Sequence, residues 1–216
     1  YHEAPTDYVG QCPTRILVGT VDARLIAVDA VTGALCTDFG ENGAVDLTHG
    51  LGLHELGEYY VTSPPLIADD VAVVGGLVAD TQDLGLPSGV VRAFSAITGE
   101  FVWAWDLGNP GYYGEPKEGE IYTPGTPNVW TIMSYDPELD LIYAPTGNAS
   151  PDYWGGVRRD YDDGWSSAIV ALDGATGEPR WKYQTVHHDV WDYDLPAQPV
   201  LVDVERDGEM VPSVAV

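Results

Sequence analysis

Groups able to do chemistry are concentrated in one stretch of this chain, His187-His-Asp-Val-Trp-Asp-Tyr-Asp-Leu-Pro-Ala-Gln-Pro199. Asp189, Asp192 and Asp194 bring carboxylates, and His187 and His188 bring imidazoles, all within eight residues. Carboxylate and amide oxygens suit hard cations such as calcium, and a carboxylate beside a substrate hydroxyl can take its proton as general base. An ordinary polar loop after a strand would look similar. Zinc is disfavoured, because adjacent imidazoles in an extended chain point in different directions. Asn148 in Tyr143-Ala-Pro-Thr-Gly-Asn148, Asp80 after Val73-Val-Gly-Gly-Leu-Val-Ala79, and Trp130 in Gly125-Thr-Pro-Asn-Val-Trp130 complete the candidates. Each has a bland reading: a turn residue, a solvated carboxylate, a core aromatic. Their shared placement where strands open into loops is the reason to group them.

The elements that must position these residues announce themselves as a repeat. Ala23-Arg-Leu-Ile-Ala-Val-Asp-Ala-Val-Thr-Gly33, Val91-Arg-Ala-Phe-Ser-Ala-Ile-Thr-Gly99 and Ala168-Ile-Val-Ala-Leu-Asp-Gly-Ala-Thr-Gly177 each join a short alternating strand to a Thr-Gly turn. A second strand is expected after each turn, at Ala34 to Phe39, Glu100 to Asp106 and Glu178 to Gln184. Upstream strands are expected at Arg15–Gly19, Val71–Gly75 and Leu141–Ala144, preceded by Thr62 to Ile67 in the second copy and Val129 to Tyr135 in the third. Trp103 and Trp181 both fall four residues after the turn glycine, where the first copy has Thr37. Four strands per unit, with a recurring tryptophan to pack between units, favour propeller blades over a solenoid or a sandwich. The expected fold is all-β, with blades at about 13–58, 59–125 and 126–185 and the start of another at 186–216. Segments 42–59, 109–127 and 150–166 read as loops.

The chain carries 34 acidic and 9 basic residues, a net charge of −25. That excludes a nucleic-acid partner, since no basic footprint exists to meet phosphates. The acids are scattered through turns, which reads as a solvated surface; attraction of a cation to the site is the functional alternative. Cys12 and Cys36 lack metal-site spacing and could either pair or stay free. No apolar run is long enough to span a membrane. The missing initiator Met and the abrupt Val211-Pro-Ser-Val-Ala-Val216 lead us to expect an internal piece of a longer protein.

The Gln184-Thr-Val-His-His-Asp-Val-Trp-Asp-Tyr-Asp-Leu-Pro-Ala-Gln-Pro199 motif, with Ala23–Asp29 and Ser88–Phe94, resembles the membrane-bound PQQ-dependent dehydrogenases of the glucose, quinate and polyol group. The resemblance implies roughly three blades of an eight-bladed β-propeller. It implies pyrroloquinoline quinone (PQQ) with Ca²⁺, or alternatively Mg²⁺ or a lanthanide, a sugar or polyol substrate, a membrane quinone as electron acceptor, and a place on the periplasmic side of the bacterial inner membrane. Position by position, Asp192 matches the family's catalytic aspartate. Trp130 matches the tryptophan under the flat quinone, Asn148 the amide ligand of the cation, and Asp80 an acid near that cation. Asp194 resembles the extra carboxylate of lanthanide-using relatives, and Asp192 also faces the cation. Thr81 departs from the pattern, standing where an Asn commonly follows the Asp80 equivalent. The basic residue that meets the quinone oxygens is expected just past Val216, so this chain by itself should not close a cofactor site. Two other functions compete: a non-catalytic propeller scaffold, which has no need of the His187–Asp194 motif, and a two-carboxylate glycoside hydrolase.

Overall fold

The Thr-Gly turns organise the chain as their chemistry requires. In the computed structural model, which describes residues 1–80 and 83–216, Gly33, Gly99 and Gly177 take φ values of 74°, 75° and 73°. Glycine alone enters that left-handed region without steric cost. Asp29 Oδ1 accepts the Thr32 backbone N–H and hydroxyl, both at 2.7 Å, and Asp173 Oδ1 does the same for Thr176 at 2.9 and 2.7 Å. Ser95 Oγ replaces the carboxylate in the middle copy, accepting the Thr98 N–H at 3.1 Å.

Three four-stranded antiparallel sheets follow one another along the chain. The first contains β1 (His2–Glu3), β2 (Thr14–Gly19), β3 (Arg24–Asp29) and β4 (Ala44–Asp46), side by side in chain order. Next come β5 (Tyr59–Tyr60), β6 (Leu66–Ala68), β7 (Val71–Val74), β8 (Leu77–Val78), β9 (Val91–Ser95) and β10 (Phe101–Trp105). Of these, β6, β7, β9 and β10 form the second sheet, while β5 pairs with β8. The third sheet is β11 (Ser134–Asp136), β12 (Leu141–Pro145), β13 (Ala168–Asp173) and β14 (Pro179–Gln184). A hairpin of β15 (Val200–Arg206) and β16 (Glu209–Ala215) ends the chain. The one α-helix among the described residues, α1 (Asp160–Trp165), lies within the segment expected to be loop.

Three strand expectations need correction, and the simplest is Val129 to Tyr135, where the strand begins only at Ser134 as β11. After the first Thr-Gly turn, Ala34 to Phe39 contributes only a single bridge, Leu35 to Val28, and the fourth strand forms later as β4. The cause lies in long-range ties. Cys36 is disulfide-bonded to Cys12, and the following turn delivers the Gly40 N–H to the Thr98 carbonyl of the next sheet at 2.8 Å. The strand expected from Thr62 starts only at Leu66, because Pro64 and Pro65 have no N–H to give to a ladder.

Period-2 alternation sorts the second sheet's side chains into two cores. Ala72, Val74, Phe94 and Ala104 pack with Leu17, Leu25, Ala27 and Phe39 of the first repeat. Val73, Val91, Ala93, Trp103 and Trp105 pack with Ile142, Ala144, Val170 and Leu172 of the third sheet. Trp103 is the clasp. Its ring lies so close to Gly177 that a Cβ there would come within 2.4 Å of it, and its indole N–H donates to the Gly174 carbonyl at 2.9 Å. Trp181, at the same place in the repeat, is 41% exposed at a cleft of about 910 Å³ between the third sheet and the hairpin. Trp103→Phe, which leaves the Gly174 carbonyl buried without its donor, is expected to cost about 1–3 kcal/mol. Trp181→Phe should cost less than half as much, and urea unfolding of the two variants checks the difference.

Candidate functional site

Register brings the candidate residues to one edge of their sheets. Pro145 pairs with Ile169 and Ala168 with Gln184, so the end of β12, the start of β13 and the end of β14 share an edge of the third sheet. Asn148 and the 187–199 loop leave from that edge. Trp130 precedes β11, whose first residue, Ser134, pairs with Tyr143 near the same edge. In the second sheet Leu66 pairs with Val73, which puts Thr62 and Ser63 at the edge from which β7 runs on towards Asp80.

Trp130 is held at both ends. Its indole N–H donates to Asp194 Oδ2 at 2.6 Å, and its carbonyl accepts the Thr62 and Ser63 hydroxyls at 2.5 and 2.7 Å. Asp194 in turn sits against Gly147, where a Cβ would lie 2.6 Å from Oδ2. Only glycine leaves room for that carboxylate. The Thr-Gly-Asn sequence therefore seats the residue that fixes Trp130.

The carboxylates of the 187–199 motif divide by role. Asp189 is buried and organises the loop, accepting the Ser167 hydroxyl at 2.6 Å and the backbone N–H groups of Trp191 and Tyr193 at 2.9 and 2.8 Å. These bonds hold Asp192 at φ 63°, a left-handed conformation rare outside glycine and asparagine. His188 pairs with Asp163 at 3.0 Å at the C-terminal half of α1, and His187 is exposed; neither imidazole is part of the carboxylate group.

Asp80, Asp152, Asp192 and Asp194 face one another closely enough to repel. Burial, then the charges of Asp80 and Asp192, push the Asp152 carboxyl up to about 7. Burial pushes Asp194 up to about 6, with Asp192 and Asp80 adding to it against the Trp130 hydrogen bond. Asp80 is raised by burial and by Asp192. Asp194 Oδ1 and Asp152 Oδ2 are buried without a hydrogen-bond partner. Among the described residues, no three acidic, imidazole or thiol groups converge on one point as a finished metal cage. What the chain presents is crowded negative charge with orphaned oxygens, the electrostatic condition that a hard cation relieves.

Asn148 is buried beside this group. Its amide oxygen accepts Arg158 Nη1–H at 2.6 Å and the Ala149 N–H at 3.0 Å, and its amide N–H groups donate to the carbonyls of Asp152 and Asp189. Arg158 reaches the same carbonyls and that of Pro151, all within 3.1 Å. The sequence marked neither Arg158 nor Asp152. Both lie in the Gly- and Asp-rich 150–166 segment, and their partners are fixed only when the 187–199 loop folds over them. Thr81 lies outside the described residues.

The family profile for the PQQ-type "Glucose/ethanol/alcohol dehydrogenase, beta-propeller domain" matches residues 1–216. The glycerol dehydrogenase large subunit of Gluconobacter oxydans (strain 621H) is 48% identical over 204 residues, covering 94% of this chain and 28% of that protein. The quinate/shikimate dehydrogenase (quinone) of Acinetobacter baylyi (strain ATCC 33305 / BD413 / ADP1) is 46% identical over 208 residues, covering 95% of this chain and 26% of that protein. The crystal structure of the quinohemoprotein alcohol dehydrogenase from Comamonas testosteroni superposes with a TM-score of 0.73 at 28% identity, over 94% of this chain and 30% of that one. The chain thus spans little more than a quarter of the curated relatives it matches. With three four-stranded blades, a clasping tryptophan between two of them and a profile match along its whole length, the chain belongs to the PQQ-dependent dehydrogenase β-propeller family.

Proposed function

We propose that this chain supplies part of the active site of a PQQ-dependent dehydrogenase that oxidises a hydroxyl group of a sugar or polyol. The observation that carries the reading is a clamped tryptophan, Trp130, tied through Asp194 to a group of mutually repelling carboxylates that includes Asp192. A PQQ ring would lie against Trp130, and a hard cation such as Ca²⁺, Mg²⁺ or a lanthanide would be held by Asp80, Asp192 and the orphaned oxygens of Asp194 and Asp152. When bound, the quinone supplies the two-electron acceptor and the cation supplies the polarising charge. Asn148 carries two hydrogen bonds on its amide oxygen, so we place it as the residue that positions the carboxylates. It would become a ligand only by giving up Arg158.

The chain's own residues then divide the work. An Asp192 carboxylate oxygen takes the proton of the substrate hydroxyl. Trp130 would give the acceptor a flat face to lie against, and Asp194 fixes Trp130. Asp189 fixes the backbone of Asp192. The relatives' names, glycerol and quinate/shikimate dehydrogenase, support a polyhydroxylated substrate. In the whole protein we place the acceptor as a membrane quinone and the site on the periplasmic face of the inner membrane. None of the helices described here is long and apolar enough to cross a membrane.

The test is reconstitution of the full-length protein with PQQ and, in turn, Ca²⁺, Mg²⁺ and a lanthanide, followed by dye reduction with glucose, quinate and glycerol. The expected result is oxidation that requires both PQQ and a cation and is lost on chelation. Failure to bind PQQ with any of the metals would establish the scaffold reading. Free sugar released from a glycoside without dye reduction would establish the hydrolase.

A further inference from the structure

Two loops meet above the third sheet, and one exposed side chain bridges them at the catalytic position. Tyr153 stands at the apex of the loop that leaves β12, with its side chain largely in solvent. The loop beneath it is pinned. Asn148 Nδ2 and Arg158 Nη2 donate to the Asp152 carbonyl at 3.1 and 2.9 Å, Arg158 also holds the Pro151 carbonyl at 3.0 Å, and Asp152 itself is buried. Across from it, Asp189 holds the backbone on either side of Asp192. The Tyr153 hydroxyl donates to Asp192 Oδ2 at 3.3 Å. That distance exceeds the usual range of about 2.5–3.0 Å for an O–H···O bond, so the contact is a weak one that a competing hydroxyl can replace.

A substrate hydroxyl that gives its proton to Asp192 must therefore approach the phenol oxygen as well. An ionised carboxylate only accepts, whereas a phenol both donates and accepts. The pair can read two oxygens at once, the reacting hydroxyl at Asp192 and the oxygen on the next carbon at Tyr153. Trp191 and Tyr193, which flank Asp192 in the chain, are exposed and stacked on each other at 6.3 Å, so neither ring covers the approach to the carboxylate by packing into the core.

We propose that Tyr153 is a specificity-determining residue, its hydroxyl binding the substrate oxygen adjacent to the hydroxyl that Asp192 deprotonates, so that vicinal diols are selected over isolated hydroxyls. The inference rests on the dehydrogenase reading above and names the recognition element of its substrate class. The test compares glycerol with propane-1,3-diol, which lacks only the neighbouring hydroxyl, in the full-length reconstituted protein and its Tyr153→Phe variant. Both kcat/KM and calorimetric affinity are read for each alcohol. The glycerol-to-propanediol ratio of kcat/KM is expected to fall about 3–10-fold in the variant, the share of one hydrogen bond, with the loss carried by KM and mirrored in the affinity ratio. An unchanged ratio, whether both alcohols lose equally or neither does, overturns the proposal. If the wild-type protein oxidises neither these alcohols nor glucose nor quinate, yet discriminates between the two alcohols in binding through Tyr153, the dehydrogenase reading fails and this subsite stands. If it discriminates in neither assay, the subsite proposal falls, and the dehydrogenase reading stands or falls on oxidation alone.

Discussion

Asp192→Asn in the full-length protein is expected to lower kcat about 10²–10⁴-fold, the usual share of a general base, while leaving the fold in place. Size and shape are conserved, and asparagine accepts the left-handed conformation that Asp192 holds at φ 63°. The bonds that shape this loop go to Asp189, so they survive the substitution. Rapid-mixing turnover and thermal unfolding, measured on the same preparation, separate the two effects. A loss of less than about tenfold would remove Asp192 from the proton transfer. A large fall in melting temperature beside the loss of rate would make it a structural residue instead.

The second large effect belongs to a residue that touches no reacting atom. Arg158 donates to Asn148 Oδ1 and to the carbonyls of Pro151, Asp152 and Asp189, thereby stitching the 148–158 loop to the 187–199 loop. Burial lowers its pKa, outweighing the opposing charges of Asp162, Asp163, Asp152 and Asp189. Arg158→Met fills much of the volume but takes a donor from four acceptors; the Asn148 amide oxygen keeps the Ala149 N–H, the Asp152 and Asp189 carbonyls keep the Asn148 amide, and the Pro151 carbonyl loses its donor. The expected cost is about 1.5–3 kcal/mol, the range for hydrogen bonds made by a charged group. Urea unfolding gives the total, and limited proteolysis within 148–158 shows where the structure opens. Arg158→Lys should recover less than half, because an ammonium cannot reproduce the planar fork that spans carbonyls on both loops. Full recovery by lysine would show that charge alone mattered.

These two residues mark how far the sequence could be read. Asp192 lies in a motif dense enough in carboxylates to stand out, and the hairpins were legible because period-2 alternation and Thr-Gly turns are local signals. The Trp103 clasp was legible for the same reason, as a tryptophan at fixed distance from a turn glycine. Arg158 was not, since all its partners are carbonyls and an amide, and the Asp189 carbonyl, which every residue type possesses, reaches it only across a loop closed 31 residues later. The Ala34 to Phe39 strand failed because a disulfide and a bond to the neighbouring sheet outweigh its β propensity. Local chemistry writes itself into sequence; contacts between distant loops do so weakly.

Dividing the second sheet's side chains between two cores makes that sheet a shared wall. In a chain whose units contact only their neighbours, the energy of such a wall is counted in two adjoining interfaces, so its melting cannot be confined to one unit. The first sheet can open at the expense of one core. The second cannot open without exposing both. Native-state amide exchange should accordingly be slowest in β7 and β9, the inner strands of that wall, and the Asp80 and Trp130 anchors at its edge share in the most cooperative part of the chain.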